Sequence, residues 1–292
     1  MINHHHPESF SFLDREGRNR LVPHFFIVGE RKCGTSSLFR YLMMHPDCLP
    51  GRRKEPDYFS GNQGFTEESW FTYLENFPLA GSLEEVSLLW PELDQAGILY
   101  EEEVAKKREP GRQYVTGDAS ANTFHLANPR VLKQAFPEIR LIMVFRDPVE
   151  RAFSQHRMYL RFQEEGRDLG RTVDSFEAEI RREIESPGGG EFLAPGRYID
   201  NLKRWDQTFS PQQRLVIFLD DLERTPSTVM AEVLKHLELP DWDWPQGSLE
   251  QRYNKAPVSS IDPGHRALLQ SWYQESDQAL STYLNRPIPW RS

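Results

Sequence analysis

Short apolar runs separated by longer amphipathic stretches organise this chain. Four runs rich in Val, Ile and Phe occupy residues 25–28, 114–117, 141–145 and 215–219. Such runs are typical of parallel strands that are buried on both faces of a sheet. Helical patterns follow three of them, over residues 36–45, 148–161 and 226–237. The alternation predicts an α/β fold in which helices flank a central parallel sheet and ligands bind at the carboxyl ends of the strands.

Length and composition are those of an ordinary globular protein. The 292 residues are 38% hydrophobic and 27% charged, a balance that allows one large core. We predict a single domain over residues 21–292, preceded by a flexible tail over residues 1–20. The tail carries three consecutive histidines, which form only a weak metal-binding tract. No apolar run approaches the length that a membrane-spanning helix needs, so we expect no membrane partner.

Charge and cysteine content narrow the classes of partner and compartment. A formal net charge of −9 argues against nucleic acid, because a phosphate polymer needs an extended basic surface. The two cysteines, Cys33 and Cys48, do not suggest a disulfide framework, and the sequence has no Asn-x-Ser/Thr site. The N-terminus resembles neither a secretory signal nor an anchor. These features favour the cytoplasm.

The first apolar run leads into a turn that is typical of phosphate-binding loops. Residues 29–34 read Gly-Glu-Arg-Lys-Cys-Gly, and a hydroxyl-rich helix start follows at Thr35, Ser36 and Ser37. The N–H groups and the dipole of a helix N-terminus attract an anion, although ordinary capping uses the same donors. Nucleotide triphosphatases place Lys directly after the second Gly, where this chain has Thr35. Lys32 lies inside the turn instead, where it can reach a bound phosphoryl-type group without a metal.

Two further segments carry candidate chemistry. After the strand at residues 141–145 comes Arg146-Asp147-Pro148, and Ser154 follows one to two helical turns later. Proline suits the first turn of a helix, and a guanidinium can bind a phosphate with two parallel hydrogen bonds. The other segment is Lys54-Glu55-Pro56-Asp57-Tyr58-Phe59.

Together these motifs resemble the sulfotransferases that use 3′-phosphoadenosine 5′-phosphosulfate (PAPS). Lys32-Cys33-Gly34-Thr35-Ser36-Ser37-Leu38 is similar to their 5′-phosphosulfate loop, and the segment from Arg146 to Ser154 is similar to their 3′-phosphate site. The Lys54-Glu55 segment resembles an element of the heparan-sulfate branch and its bacterial relatives, in which the glutamate deprotonates the acceptor hydroxyl. Two later segments, around residues 196–222 and 252–290, also match that branch, so the resemblance covers roughly residues 22 to 290.

The resemblance implies PAPS as the sulfate donor, no required metal, and transfer of a sulfuryl group to the hydroxyl of a carbohydrate or small metabolite. It implies Glu55 as the base and Lys32 as the cation that stabilises the leaving phosphate. The implied PAPS-binding residues are Arg31, Lys32, Cys33, Gly34, Thr35, Ser36, Ser37, Arg146, Ser154, Arg252, Asn254 and Lys255. The candidate acceptor contacts are Lys54, Asp118, Ser120 and His125. Animal relatives work in the Golgi lumen, so a trimmed lumenal domain stays an alternative to the cytoplasm.

Several alternatives stay open at this point. Glu55 could be a surface carboxylate beside Arg53 and Lys54, with His125 or His156 as the base. Cys33 could have a reactive thiol at the helix N-terminus, or it could be a variant without special chemistry. The chain as a whole could be a P-loop kinase or NTPase, or a PAPS-binding module without catalysis.

The acidic segment 61–112 fits the sheet pattern least well. It carries Trp70, Phe71, Tyr73, Phe77 and Trp90, which could form an acceptor site or the core of a helical insertion. Concentrated basic clusters such as those at residues 52–54 and 181–182 are few, which favours a neutral or small acceptor over a polyanion.

Overall fold

A computed structural model describes residues 12–61, 65–93, 99–186, 190–250 and 260–291. These residues form seven strands. They are β1 (Pro23–Gly29), β2 (Cys48–Leu49), β3 (Val86–Leu93), β4 (Leu99–Lys106), β5 (Val115–Asp118), β6 (Arg140–Phe145) and β7 (Arg214–Phe218).

Ten α-helices occur in the same part of the chain, with three short 3₁₀ turns at Ala194–Gly196, Pro211–Gln213 and Pro289–Arg291. The helices are α1 (Thr35–Met44), α2 (Glu67–Leu74), α3 (Thr123–Leu126), α4 (Pro129–Ala135), α5 (Pro148–Glu164), α6 (Phe176–Glu185), α7 (Tyr198–Asp206), α8 (Leu219–Arg224), α9 (Pro226–His236) and α10 (Pro263–Leu284).

Five strands form a parallel sheet in the order β2-β5-β1-β6-β7. The predicted α/β class is confirmed, and the four apolar runs correspond to β1, β5, β6 and β7. The chain extends the sheet first on the β5 side of β1 and then on its β6 side, so the strand order reverses at β1. In open α/β sheets a ligand crevice forms at such a reversal, outside the carboxyl ends of the strands.

The central strands are continuous in apolar residues because they have no solvent face. Phe25, Phe26, Ile27 and Val28 of β1 are fully buried, as is the whole run from Leu141 to Phe145 in β6. Helix α1 begins directly after the turn that follows β1, and α5 begins three residues after β6. The buried sheet therefore holds both turns at a fixed distance from each other.

The segment 61–112 is partly helical and partly a β-hairpin. Trp70, Tyr73 and Phe77 are buried in the core, which supports the core interpretation for these aromatic residues. The helical prediction is right for α2 and wrong for β3 and β4, which pair in antiparallel fashion beside the main sheet. The side chain of Trp90 lies outside the described residues.

The predicted flexible tail is wrong for residues 12–20, whereas residues 1–11 lie outside the described part of the chain. The carboxylate of Asp14 is buried and accepts hydrogen bonds from the side chains of Arg18 and Arg20, at 2.9 and 2.8 Å. Arg20 is also buried and donates to the carbonyl of Phe77. A polar segment is folded here because its charges pair with each other and with the domain.

Within the described residues, no helix combines the length and apolar character needed to span a membrane.

Candidate active site

A cleft of about 1490 Å³ opens at the carboxyl edge of the sheet. Its wall is built from the turns after β1 and β6, from the N-terminus of α1, from one face of α5, and from α8 with the start of α9. Most of the candidate residues line it. They are Arg31, Lys32, Gly34, Thr35, Ser36, Ser37, Lys54, Glu55, Arg146 and Ser154.

The turn at residues 29–34, called the phosphate loop below, closes tightly against Leu219, the first residue of α8. Gly34 is the N-cap of α1 with φ 88°, and a Cβ there would lie 2.5 Å from Cδ1 of Leu219. Only glycine reaches this left-handed backbone without a steric cost. The first turn of α1 thereby approaches the cleft with its backbone, which is the arrangement that favours an anion.

Lys32 lies in the wall of the cleft, with its Nζ 3.8 Å from Sδ of Met158 on α5. Its pKa is lowered to about 8, because burial disfavours the ammonium and the guanidinium groups of Arg161 and Arg146 repel it. The carboxylate of Glu55 acts in the opposite direction. An anion bound among these cations would restore the charge of Lys32 and reduce the repulsion.

Arg146 connects β6 to the phosphate loop. Its Nη1 donates to the carbonyl of Lys32 at 3.2 Å, and its Nη2 pairs with Glu150 at 3.5 Å. The buried hydroxyl of Tyr198 donates to the carbonyl of Arg146 at 2.8 Å, which fixes the backbone at the strand end. Ser154 lies on the cleft-facing side of α5. The two residues predicted for one phosphate therefore share one wall.

Glu55 lies in the loop of residues 54–60, called the Glu55 loop below. Its side chain is 42% exposed at the cleft and forms an ion pair with Lys54. The backbone of Glu55 is left-handed, with φ 56°, although the residue precedes a proline. A residue before proline normally adopts an extended conformation, so this carboxylate is held in place at a conformational cost.

Four candidate residues do not line the cleft. Cys33 is fully buried, its N–H donates to the carbonyl of Glu30, and its thiol contacts the hydroxyl of Tyr198. Burial raises the pKa of this thiol to about 12, which argues against a reactive thiol.

The predicted acceptor contacts at Asp118, Ser120 and His125 are also not supported by their positions. Asp118 and Ser120 are buried behind the Glu55 loop, with exposures of 1% and 0%. His125 is half-buried beside Asn201, away from the cleft lining, and burial lowers its pKa. His156, the other rival base, packs between Phe176 and Phe192. Among the described residues, neither histidine reaches the cleft.

Sequence reasoning missed several cleft residues on α5 and in the turn after β5. Arg157 and Arg161 follow Ser154 at helical spacings of three and seven residues, so they share its face of α5. Asn122 accepts a hydrogen bond from Nε of Arg31 at 2.6 Å. The spacing from Ser154 was a usable signal for the arginines, whereas nothing in the sequence marked Asn122.

Arg252, Asn254 and Lys255 lie outside the described residues. Leu249 and Glu250, the last described residues before the segment 251–259, line the cleft. The described part of the chain contains no cluster of His, Cys, Asp and Glu side chains that could hold a metal ion.

The chain is similar to known proteins over most of its length. Residues 23–244 match the model of the sulfotransferase family. The chain is 26% identical to the mouse bifunctional heparan sulfate N-deacetylase/N-sulfotransferase 3, over 92% of this chain and 31% of the relative. It is 26% identical to mouse carbohydrate sulfotransferase 15, over 87% of this chain and 50% of the relative. The chain thus spans at most half the length of these two relatives.

Solved structures show the same fold. A sulfotransferase from Alicyclobacillus acidocaldarius superposes with a TM-score of 0.64 at 23% identity, covering 93% of this chain and 99% of the other. A mouse sulfotransferase complexed with PAP superposes with a TM-score of 0.50 at 13% identity, covering 87% of this chain and 84% of the other.

Proposed function

The chain belongs to the sulfotransferase family, and we propose that it transfers a sulfuryl group from PAPS to a carbohydrate hydroxyl, with Glu55 as the base. The observation that carries the proposal is that Lys32 and Glu55 line one cleft together with the N-terminus of α1. A cation, a carboxylate and a ready anion site are the three groups that an in-line displacement at sulfur needs.

The residues of the cleft fit the two ends of the donor. The first turn of α1 and Lys32 suit the 5′-phosphosulfate, and Arg146 with Ser154 suits the 3′-phosphate. Gly34 supports this fit because it has no side chain to collide with Leu219, so the first turn of α1 can approach the cleft with its backbone. PAPS would bind through Lys32, Arg146 and the N-terminus of α1, and this mode of binding requires no metal ion.

The reaction forms one bond to sulfur and breaks another. The acceptor oxygen attacks sulfur, the bond between sulfur and the bridging 5′-phosphate oxygen breaks, and adenosine 3′,5′-bisphosphate (PAP) leaves. Glu55 takes the proton of the acceptor hydroxyl, and the ammonium of Lys32 stabilises the charge that develops on the bridging oxygen. The carboxylate thus acts on the attacking oxygen, and the ammonium acts on the leaving oxygen.

A carbohydrate acceptor is supported by the relatives, which are named for carbohydrate and heparan sulfate substrates. The cleft supports it as well, because α5 adds Arg157 and Arg161 to the wall beyond Ser154. These cations make an acceptor with acidic groups compatible with the site, despite the net charge of −9.

Thermal melting with two ligands tests the class of the site. PAP in EDTA should raise the melting temperature by several degrees, since a ligand at 100 times its dissociation constant adds about 2.7 kcal/mol. ATP with Mg²⁺ should give a much smaller shift. Stabilisation by ATP with Mg²⁺ alone would overturn the proposal in favour of phosphoryl transfer.

The affinity for PAP should fall at alkaline pH because Lys32 loses its proton. The ammonium is present below a pKa of about 8 and is lost as the pH rises through it. The phosphates of PAP, with a second pKa of about 6, are largely ionised throughout this range. We expect the dissociation constant to rise about tenfold between pH 7 and pH 9, measured by isothermal titration calorimetry. A constant affinity over this range would contradict the contact between Lys32 and the phosphate.

Arg146→Ala should weaken PAP binding by about 10- to 100-fold, because a charge-assisted, two-point contact to phosphate is lost. Arg140→Ala is the matched control. Arg140 is the first residue of β6, the strand that Arg146 follows. It donates to the carbonyl of His236, away from the cleft. Calorimetry should show a normal dissociation constant for the control. Equal affinities of the two variants would contradict the 3′-phosphate assignment.

A further inference from the structure

Behind the cleft, hydrogen bonds connect the Glu55 loop to the end of β5. The N–H of Asp57 donates to Oγ of Ser120 at 3.0 Å, and Oγ of Ser120 donates to Oδ1 of Asp118 at 2.6 Å. The other carboxylate oxygen of Asp118 accepts from the hydroxyl of Tyr73 at 3.0 Å. Ser120, Asp118 and Tyr73 are all buried. The loop that carries Glu55 is therefore anchored to the sheet two residues away from the base.

Asn122 extends the same network to the phosphate loop. Its Nδ2 donates to Oδ1 of Asp57 at 3.4 Å, and its Oδ1 accepts from Nε of Arg31 at 2.6 Å. One amide side chain thus bridges a residue two positions after the base and the residue before Lys32. The amide nitrogen acts as a donor to Asp57 and the amide oxygen as an acceptor from Arg31, so the two contacts can be tested separately.

The Glu55 loop needs such an anchor because its backbone is strained. Glu55 and Asp57 have φ values of 56° and 53°, a region that non-glycine residues rarely adopt. A strained conformation persists only where the surroundings over-determine it. The hydrogen bond from the N–H of Asp57 to Ser120 holds the loop in this strained conformation.

We propose that Ser120 and Asn122 are positioning residues for catalysis. Ser120 holds Glu55 in its catalytic orientation, and Asn122 couples that orientation to the phosphate loop. This inference rests on the proposed function of Glu55 as the base. Neither residue takes part in bond making.

Ser120→Ala tests the anchor. We expect kcat to fall about 10- to 100-fold, the size of effect that a misplacement of about 1 Å produces, while the dissociation constant of PAP stays within twofold. Thr116→Val is the matched control. Thr116 is also a buried residue of β5 whose hydroxyl donates one hydrogen bond, to the carbonyl of Leu49 at 3.0 Å. Both variants should lose a similar amount of melting temperature, but only Ser120→Ala should lose turnover.

Two substitutions of Asn122 separate its donor from its acceptor. Asn122→Asp keeps an acceptor for Arg31 and places a second carboxylate beside Asp57, so kcat should fall at least tenfold with PAP affinity retained. Asn122→Ala removes both contacts, so kcat and PAP affinity should both fall. Equal PAP affinities of the two variants would contradict the bridge.

The outcomes distinguish failure of this inference from failure of the proposed function. If the wild-type protein neither binds PAP nor transfers sulfuryl groups, the proposed function fails and the inference falls with it. If the wild-type protein is active and Ser120→Ala matches Thr116→Val in kcat, the proposed function stands and the positioning role is overturned. A selective loss of kcat in Ser120→Ala, with unchanged PAP affinity, is the result that supports it.

Discussion

Glu55→Gln is expected to lower kcat by about 10²- to 10⁴-fold, the usual contribution of a positioned general base. Glutamine keeps the size and shape of the side chain but cannot take the proton of the acceptor hydroxyl. The dissociation constant of PAP should change little, because the base serves the acceptor rather than the donor. Steady-state kinetics and calorimetry on the same preparation provide both values.

The control for this substitution is another carboxylate of the cleft. Glu164 is exposed at the end of α5 and lines the same cleft, and Glu164→Gln should leave kcat within about twofold, as for most surface substitutions. Turnover of Glu55→Gln at the level of Glu164→Gln would remove Glu55 as the base.

Lys32→Met is the substitution with the second largest expected effect. Methionine preserves an unbranched apolar stem beside Met158 but removes the charge that we propose to stabilise the leaving phosphate oxygen. We expect kcat to fall by about 10²- to 10³-fold, comparable to the loss of one donor to a developing oxyanion. PAP affinity should fall much less, because Arg146 and the N-terminus of α1 still bind the ligand.

The comparison of kcat with affinity decides the role of Lys32. A residue that only binds the donor would weaken PAP and leave kcat unchanged at saturating PAPS. A residue that stabilises the transition state lowers kcat. An unchanged kcat with a raised KM for PAPS would therefore contradict the proposed role.

The sheet and the phosphate loop could be predicted because their signals are local. Strands without a solvent face must be apolar along their length, which is why β1 and β6 stand out in the sequence. The loop at residues 29–34 needs glycine at Gly34 because the backbone there is left-handed and Leu219 leaves no room for a side chain. Such requirements leave a pattern that can be read from one chain.

The remaining elements depend on contacts between distant segments. Strand β2 has two residues, and β4 contains three consecutive glutamates, so neither carries a strand signal. The N-terminal segment folds through the buried pairing of Asp14 with Arg20, which polarity alone cannot reveal. Local sequence favoured a helical insertion around β4 and a tail at the N-terminus, and tertiary contacts decided otherwise.

The candidate site shows the same division. Asp118 ends β5 and Ser120 follows it, at a strand end that the sequence placed toward the cleft, so the sequence favoured contact with the acceptor. The Glu55 loop lies over them and turns both into supports for its own backbone. Whether a strand-end residue faces a ligand or a covering loop depends on the path of that loop, which the sequence does not specify.

The proposed reaction can be assayed as transfer of radiolabelled sulfate from PAPS to a set of glycosaminoglycan oligosaccharides, with Glu55→Gln alongside. We expect the wild-type protein to place label on a carbohydrate hydroxyl and to release one PAP for each sulfate transferred, in the presence of EDTA, and we expect Glu55→Gln to do neither. Binding of PAP by the wild-type protein without transfer to any of these acceptors, or equal transfer by Glu55→Gln, would contradict the proposed reaction.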